Sequence, residues 1–314
     1  MKVLRDISEL SSLAGPLHLA IGVFDGLHRG HASVIEVALS GARQNGGTAV
    51  VVTFDPHPIR VLAPDRAPRL LTSPPHQLLL LERQRVPATL VIPFDEAFAA
   101  QAWDAFVNDL ALACQGQLAQ ICVGEEWRFG AKRGGDVTRL SDWGQAHGIE
   151  ITAVPVVVSA RESEKISSST IRLAIGKGDF ATADRLLGRE YTVLGTVIEG
   201  RQLGRTLGFP TANLSVHSEQ LPPPGVYAVR AARLGTGEVF GGVGNLGFRP
   251  TVEGADANLL LEVHLFDFEG DLYGEDLEVS FVEFLRGEQK FDGIDALREQ
   301  IALDSARARE LVGA

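Results

Sequence analysis

Cysteine is almost missing from this chain of 314 residues, with Cys114 and Cys122 the only two. A single pair is too few for a disulfide framework or a lone Cys-ligated zinc site. Basic charge is short as well. Lys plus Arg number 29 against 40 Asp plus Glu, a net of −11. That balance excludes a protein that coats itself in nucleic-acid phosphates, and equally a basic membrane-surface binder. No apolar run approaches the roughly 18 residues needed to cross a bilayer. The N-terminus, Met1 to Leu10, mixes Lys2, Arg5, Asp6 and Glu9 and has no signal-peptide apolar stretch. Internal repeats and low-complexity tracts are also missing. What remains is an ordinary globular composition, 45% apolar and 22% charged, long enough for about two domains. The expectation is a cytoplasmic protein with no nucleic-acid and no membrane partner, while monomer and transient homo-oligomer both stay open. One count is generous, the 34 glycines, and where they cluster is the main clue to function.

Up to about residue 187 the pattern alternates strand and helix. Leu17 to Val23, Thr48 to Phe54, Thr89 to Ile92, Ala119 to Val123 and Ile151 to Val158 read as strands, and His31 to Ala42 and Trp103 to Ala113 as helices. Such alternation predicts βαβ units on a parallel, doubly wound α/β sheet, with ligands beyond the carboxyl ends of its strands. After about Gly188 the texture changes. Tyr191 to Glu199, Gly225 to Leu234, Glu238 to Gly244, Leu259 to Phe268 and Asp276 to Phe284 read as short strands between Gly- and Pro-rich turns, which predicts a small barrel or sandwich. Gly293 to Val312 closes the chain as a helix whose expected buried side is Leu297, Ile301, Leu303 and Ala308. The expected domains are 1–187 and 188–314.

The run IGVFDGLHRGH, Ile21 to His31, leaves a strand through Gly22 and Gly26 and reaches His28 and His31 where a helix begins. Histidines at i and i+3 face one side of a helical turn. Gly30 removes a side chain between them, and the helix start offers free N–H groups to a phosphate. Two imidazoles that donate to phosphate oxygens as charge builds at phosphorus suit adenylyl transfer. With 8 histidines and 34 glycines, chance gives the tetrapeptide pattern only about 0.02 times per chain.

Further along, Ser167 to Thr170 supply hydroxyls and N–H groups at another helix start, and Arg172 supplies a bidentate charge for phosphate. Gly195 to Asn213 is a Gly-rich loop with glycines at 195, 200, 204 and 208. It leads to Thr211 and Asn213, two neutral oxygen ligands that suit a Mg²⁺ sharing nucleotide phosphates. On the strand around Glu262, Glu262 and His264 point to one face while Leu261, Val263 and Leu265 point to the other. Glu262 there reads either as a solvent-facing strand carboxylate or, on a barrel's ligand face, as a base that takes the proton of a primary alcohol attacking a γ-phosphate. Asp267, Asp271 and Glu275 are expected to be solvated charge.

The HxGH run resembles the nucleotidylyltransferase superfamily of that name. With TFDPHP (53–58), VGEEWRFG (123–130) and KISSSTIR (165–172), the first half resembles the FAD-synthetase half of the prokaryotic bifunctional riboflavin kinase/FAD synthetases. GFPTANL (208–214), GVY (225–227), GNLGFRPT (244–251), LEVHLFDFEGDLYG (261–274) and FLRGEQKF (284–291) resemble the riboflavin kinase half. The resemblance implies a Rossmann-like nucleotidylyltransferase domain followed by a six-stranded Greek-key barrel with a terminal helix. It implies riboflavin kinase and FMN adenylyltransferase activities, with ATP as co-substrate, Mg²⁺, and riboflavin, FMN and FAD as substrates or products. His28, His31 and Glu262 would be catalytic, and Thr211 and Asn213 would hold the metal. Nucleotide or flavin would meet Gly22, Phe24, Asp25, Gly26, Gly30, His57, Glu126, Arg128, Ser167, Ser168, Arg172, Gly204, Gly208 and Arg286. Glu126 and Trp127 depart from the family pattern, which commonly has Asn or Asp and then Phe. Residues 188–314 hold 11 basic and 20 acidic residues, so the negative charge sits mostly at one end, leaving Arg128, Lys132, Lys165 and Arg172 to serve the adenylyl side.

Overall fold

A computed structural model describes residues 1–158, 165–200, 208–217, 220–248 and 259–313. Two compact units emerge, Met1–Arg69 with Pro74–Ser168, and Leu70–Ser73 with Ser169–Ala314. The division falls earlier than the change of texture near residue 188. Helices α7 (Ser168–Gly176) and α8 (Phe180–Leu187) precede the first barrel strand, and α8 packs on the barrel. Phe180 stacks on Phe281 with centroids 5.7 Å apart and meets Tyr227 edge-on at 5.9 Å.

The first unit contains strands β1 (Lys2–Leu4), β2 (Leu17–Ile21), β3 (Thr48–Asp55), β4 (Ala88–Pro93), β5 (Leu118–Gly124) and β8 (Glu150–Val154), and a small hairpin of β6 (Arg128–Phe129) with β7 (Gly135–Asp136). Its helices are α1 (Arg29–Asn45), α2 (Pro58–Leu62), α3 (Pro74–Arg83), α4 (Glu96–Ala99), α5 (Trp103–Ala113) and α6 (Val137–His147). The six-stranded sheet runs β1-β4-β3-β2-β5-β8, all in parallel. Every residue of β2 is buried, because both faces are covered. Leu19 and Ile21 join one apolar layer with Val50, Phe106 and Leu110, while Ala20 joins the other with Ile35, Ala38 and Leu81. From β2 the chain winds outward through β3 and β4, then returns to place β5 on the opposite side of β2. The order therefore reverses between β2 and β5, the position at which doubly wound sheets bind ligands.

The second unit is a closed antiparallel barrel of six strands, in the order β10-β13-β12-β11-β14-β9. They are β9 (Thr192–Ile198), β10 (Ala212–Val216), β11 (Gly225–Arg233), β12 (Val239–Phe248), β13 (Leu259–Leu265) and β14 (Asp276–Arg286). Closure satisfies the backbone groups that an open edge would leave unpaired. Leu214, Leu261, Val263, Val279 and Val229 are fully buried inside it. Ala212–Val216 is a strand rather than the end of a glycine loop, since it pairs with both β9 and β13.

Helix α9 (Ile294–Val312) covers part of the barrel wall with Ala308 buried and Leu297 and Ile301 half-buried, as expected. Leu303 departs from that side, being 64% exposed, and Asp304 and Ser305 face inward. Asp304 wins that place by accepting two bonds on Oδ2 from Arg286 of β14, from Nε at 2.9 Å and from a terminal nitrogen at 2.8 Å. A buried bidentate pair outweighs one leucine at the surface. Among the described residues, no helix is long and apolar enough to cross a membrane.

Candidate active sites

The loop from β2 to α1 delivers both histidines to the switch point. His28 is the N-cap of α1 in extended conformation, and its Nδ1 accepts the His31 backbone N–H at 3.2 Å. An acceptor nitrogen carries no proton, so neutral His28 holds its proton on Nε2, where it can be donated. The two rings stack with centroids 3.6 Å apart and planes 18° apart. A Cβ on Gly30 would come within 3.2–3.3 Å of the His28 ring, so this glycine makes room for the imidazole as well as for a ligand. Burial, and then the neighbouring His28, push the His31 pKa well below its ordinary 6.5. His31 Nδ1 is buried without a partner. Burial therefore favours the uncharged form of the His31 ring.

Phe24 and Gly26 form the turn behind these rings. Phe24 has φ 54° and Gly26 φ 81°. The Phe24 ring is buried and meets His31 edge-on at 5.4 Å, with Gly22 beneath it, where a Cβ would sit 3.0 Å from the ring. Phe24 thus supports His31 from the core side. Two further side chains hold this loop that the sequence did not single out. Thr53 Oγ1 and Gln77 Nε2 both donate to the Val23 carbonyl, at 3.0 and 2.9 Å. Ser168 Oγ donates to the carbonyl of buried Asp25 at 3.0 Å, which ties Ser168 to the histidine loop. Ser167 immediately precedes α7, and Arg172 is half-buried on it. His57 caps α2 by accepting the Ile59 N–H at 3.2 Å.

On the other side of the switch point, the segment after β5 lines a cavity of about 300 Å³ that includes Glu126, Arg128 and Arg133. Trp127 packs flat on Phe129, centroids 4.0 Å apart. Two of the cations expected to serve phosphate also have partners within the chain. Arg128 pairs with Asp136 at 2.7 Å, and Lys165 with Glu126. The longer acid at position 126 finds its use in that ion pair.

In the barrel, Glu262 and His264 share the outer face and Leu261 and Val263 are buried inward, as the alternation predicts. Glu262 lines a cavity of about 340 Å³ between the wall and α9. Val226, Leu297 and Ile301 give it apolar sides, and Arg286, held by Asp304, lies at one end. A second cavity, about 410 Å³, opens among Val197, Pro210, Leu265 and the turn Phe268–Tyr273. Thr211 lines both.

Asn213, next but one on β10, is buried and lies opposite Glu262 in register. Gly200 leaves the space its amide fills, for a Cβ there would come within 2.1 Å of Nδ2. His264, which the sequence left unassigned, donates Nδ1–H to the Pro210 carbonyl at 2.8 Å and so fixes the residue before Thr211. Gly208 has φ 88°, while Gly204 lies outside the described residues. Asp267 and Glu275 are not simply solvated. Arg309 grips Asp267 with two bonds, 2.8 and 2.9 Å, and Arg233 grips Glu275.

A donor loop at the reversal of a parallel sheet and a carboxylate cavity on a separate barrel define a two-headed phosphate-transfer enzyme. The family models divide the chain the same way, residues 11–170 matching FAD synthetase and 187–312 riboflavin kinase. Among curated proteins, the chain is 38% identical to a bifunctional riboflavin kinase/FMN adenylyltransferase of Escherichia coli K12, covering 100% of this chain and 98% of the relative. It is 36% identical to the enzyme of the same name from Bacillus subtilis strain 168, over 92% of this chain and 90% of that one. A crystal structure of a macrolide-efflux protein from Streptococcus pneumoniae superposes with TM-score 0.81 at 28% identity, covering 98% and 99% of the two chains. The chain belongs to the bifunctional riboflavin kinase/FMN adenylyltransferase family.

Proposed function

We propose that the two activities of this family are divided between residues 1–187 and 188–314, with FMN adenylylation at the His28/His31 loop and riboflavin phosphorylation at Glu262. In the first, the phosphate of FMN attacks the α-phosphate of ATP, forming FAD and releasing pyrophosphate. His28 donates Nε2–H to phosphate oxygens as charge accumulates, and His31 acts beside it on the same face. The nucleophile is already an anion, so no base is required and positioning supplies most of the rate. The residues that bear on ATP or FMN are those of the loop, Gly22 to Gly30, with His57, Glu126, Arg128, Ser167, Ser168 and Arg172. This work falls to residues 1–187, and the kinase step to 188–314.

In the second step, the terminal ribityl hydroxyl of riboflavin attacks the γ-phosphate of ATP, giving FMN and ADP. Glu262 takes the hydroxyl proton, and Arg286 lies at the flavin end. The single observation that carries this reading is the position of Thr211 on both barrel cavities beside Glu262. The donor set at Thr211 and Asn213, a hydroxyl and a carboxamide oxygen whose amide packs against Gly200, fits Mg²⁺, a hard ion that keeps waters and shares phosphate oxygens. When bound, the ion neutralises phosphate charge. The apolar cavity walls, with two buried free thiols of which burial pushes each up to about 12, support a cytoplasmic flavin enzyme. The test is Glu262→Gln, assayed by chromatography with ATP and Mg²⁺. FMN formation from riboflavin should fall about 10² to 10⁴-fold, while FAD formation from supplied FMN continues. Loss of both, or of neither, would sink the assignment.

A further inference from the structure

We propose that Asn245 reads the secondary hydroxyls of the polyol chain and so sets which alcohols the barrel phosphorylates. The proposal rests on the kinase reading of the Glu262 cavity. Asn245 lies directly opposite Glu262 in the β12–β13 register, and Glu262 lies directly opposite Asn213 in β10–β13. Residues opposed in register share a face, so three polar side chains form a row across three neighbouring strands.

The row has two different ends. Asn213 stands on the side of Thr211, which lines both cavities. Beyond Asn245 comes Val226, its partner on β11, and then Arg286, the partner of Val226 on β14. Leu297 and Ile301 wall the same cavity. A substrate with its reacting hydroxyl at Glu262 and an apolar ring system against those side chains must lay its connecting chain over Asn245. The strands are about 4.8 Å apart, the reach from a terminal hydroxyl to one two or three carbons further along a polyol.

Asn245 is half-buried and lines the cavity. Among the described residues its carboxamide has no hydrogen-bond partner. A carboxamide both donates and accepts, as does a hydroxyl, so one residue satisfies one hydroxyl in either orientation. A site built to bond a hydroxyl discriminates against an analogue lacking it, because the polar group is then left unpaired.

The test compares riboflavin with its 2′-deoxy and 3′-deoxy analogues as kinase substrates, in the parent chain and in Asn245→Ala and Asn245→Ser. For Asn245→Ala, kcat/KM for riboflavin should fall about tenfold, with the KM for ATP unchanged. With one of the two deoxy analogues the penalty should vanish, because the bond is already lost. Asn245→Ser, which keeps a hydroxyl, should recover part of the rate and serves should the alanine variant fail to fold. FAD formation from supplied FMN on the same chain should not move. Equal losses with riboflavin and both analogues, or no loss with riboflavin, overturn the proposal. Failure of the underlying kinase reading looks different, since Glu262→Gln would then leave FMN formation intact.

Discussion

The two units solve one problem, holding polar groups against a phosphate, by opposite means. The parallel sheet hides its reactive rings. His28 and His31 are stacked and backed by a buried phenylalanine, and the loop carrying them is pinned by two donors on a single carbonyl. The barrel places its groups on an outward wall. Asn213, Glu262 and Asn245 are brought into line by strand register, and the cavity over them is completed by a helix held by ion pairs that include Arg286–Asp304. Desolvation fixes the first site, and pairing geometry the second. Damage should therefore spread locally in the first and along the sheet in the second.

The sharpest way to break the comparison is His28→Ala with His31→Ala. FAD formation from supplied FMN should drop by about 10³-fold or more, and riboflavin phosphorylation should persist. A chain that loses both activities while its circular dichroism stays native would show that the units are not chemically independent. A smaller effect is expected from Asp304→Ala. Arg286 would keep its charge in a wall where its side chain is only 20% exposed, a loss of about 3 kcal/mol. Urea unfolding should show the barrel transition move to lower denaturant, with riboflavin KM raised and FMN adenylylation kept. Smallest is the pH effect of His31. Its native pKa lies below the ordinary 6.5, so as pH falls below about 6.5 the unfolded chain takes up a proton that the native chain refuses. Stability is then lost with falling pH, and His31→Gln should flatten that part of the Tm-against-pH curve. An unchanged slope would mean that the ring is not desolvated.

What was readable beforehand follows the same divide. The histidine loop is contiguous, so spacing alone predicts that both rings face one way, and they do. Phe24 appears in the motif as a residue for ligand, and the motif does not show that its ring also lies against His31. Arg128 and Lys165 show charge in the sequence but not the acids that occupy it, Asp136 and Glu126. In the barrel, alternation gives the face of Glu262, whereas its neighbours Asn213 and Asn245 depend on pairing between strands far apart in the chain. The β10 segment has a glycine-loop composition on one side and becomes a strand because two edges need closing. Helical periodicity turned Leu303 inward. The Arg286 guanidinium, distant in sequence, claimed that side for Asp304.

The cap at the start of α1 has a consequence for the proton inventory of the enzyme. Because the His31 N–H occupies His28 Nδ1, the reactive ring is dealt a single tautomer when the helix forms, before any nucleotide arrives. In many active sites a separate carboxylate must select the tautomer of a working histidine. Here the selection is made by secondary structure, so the helix that carries the ring also sets its protonation, and a fraying first turn would scramble the chemistry before it unfolded the domain.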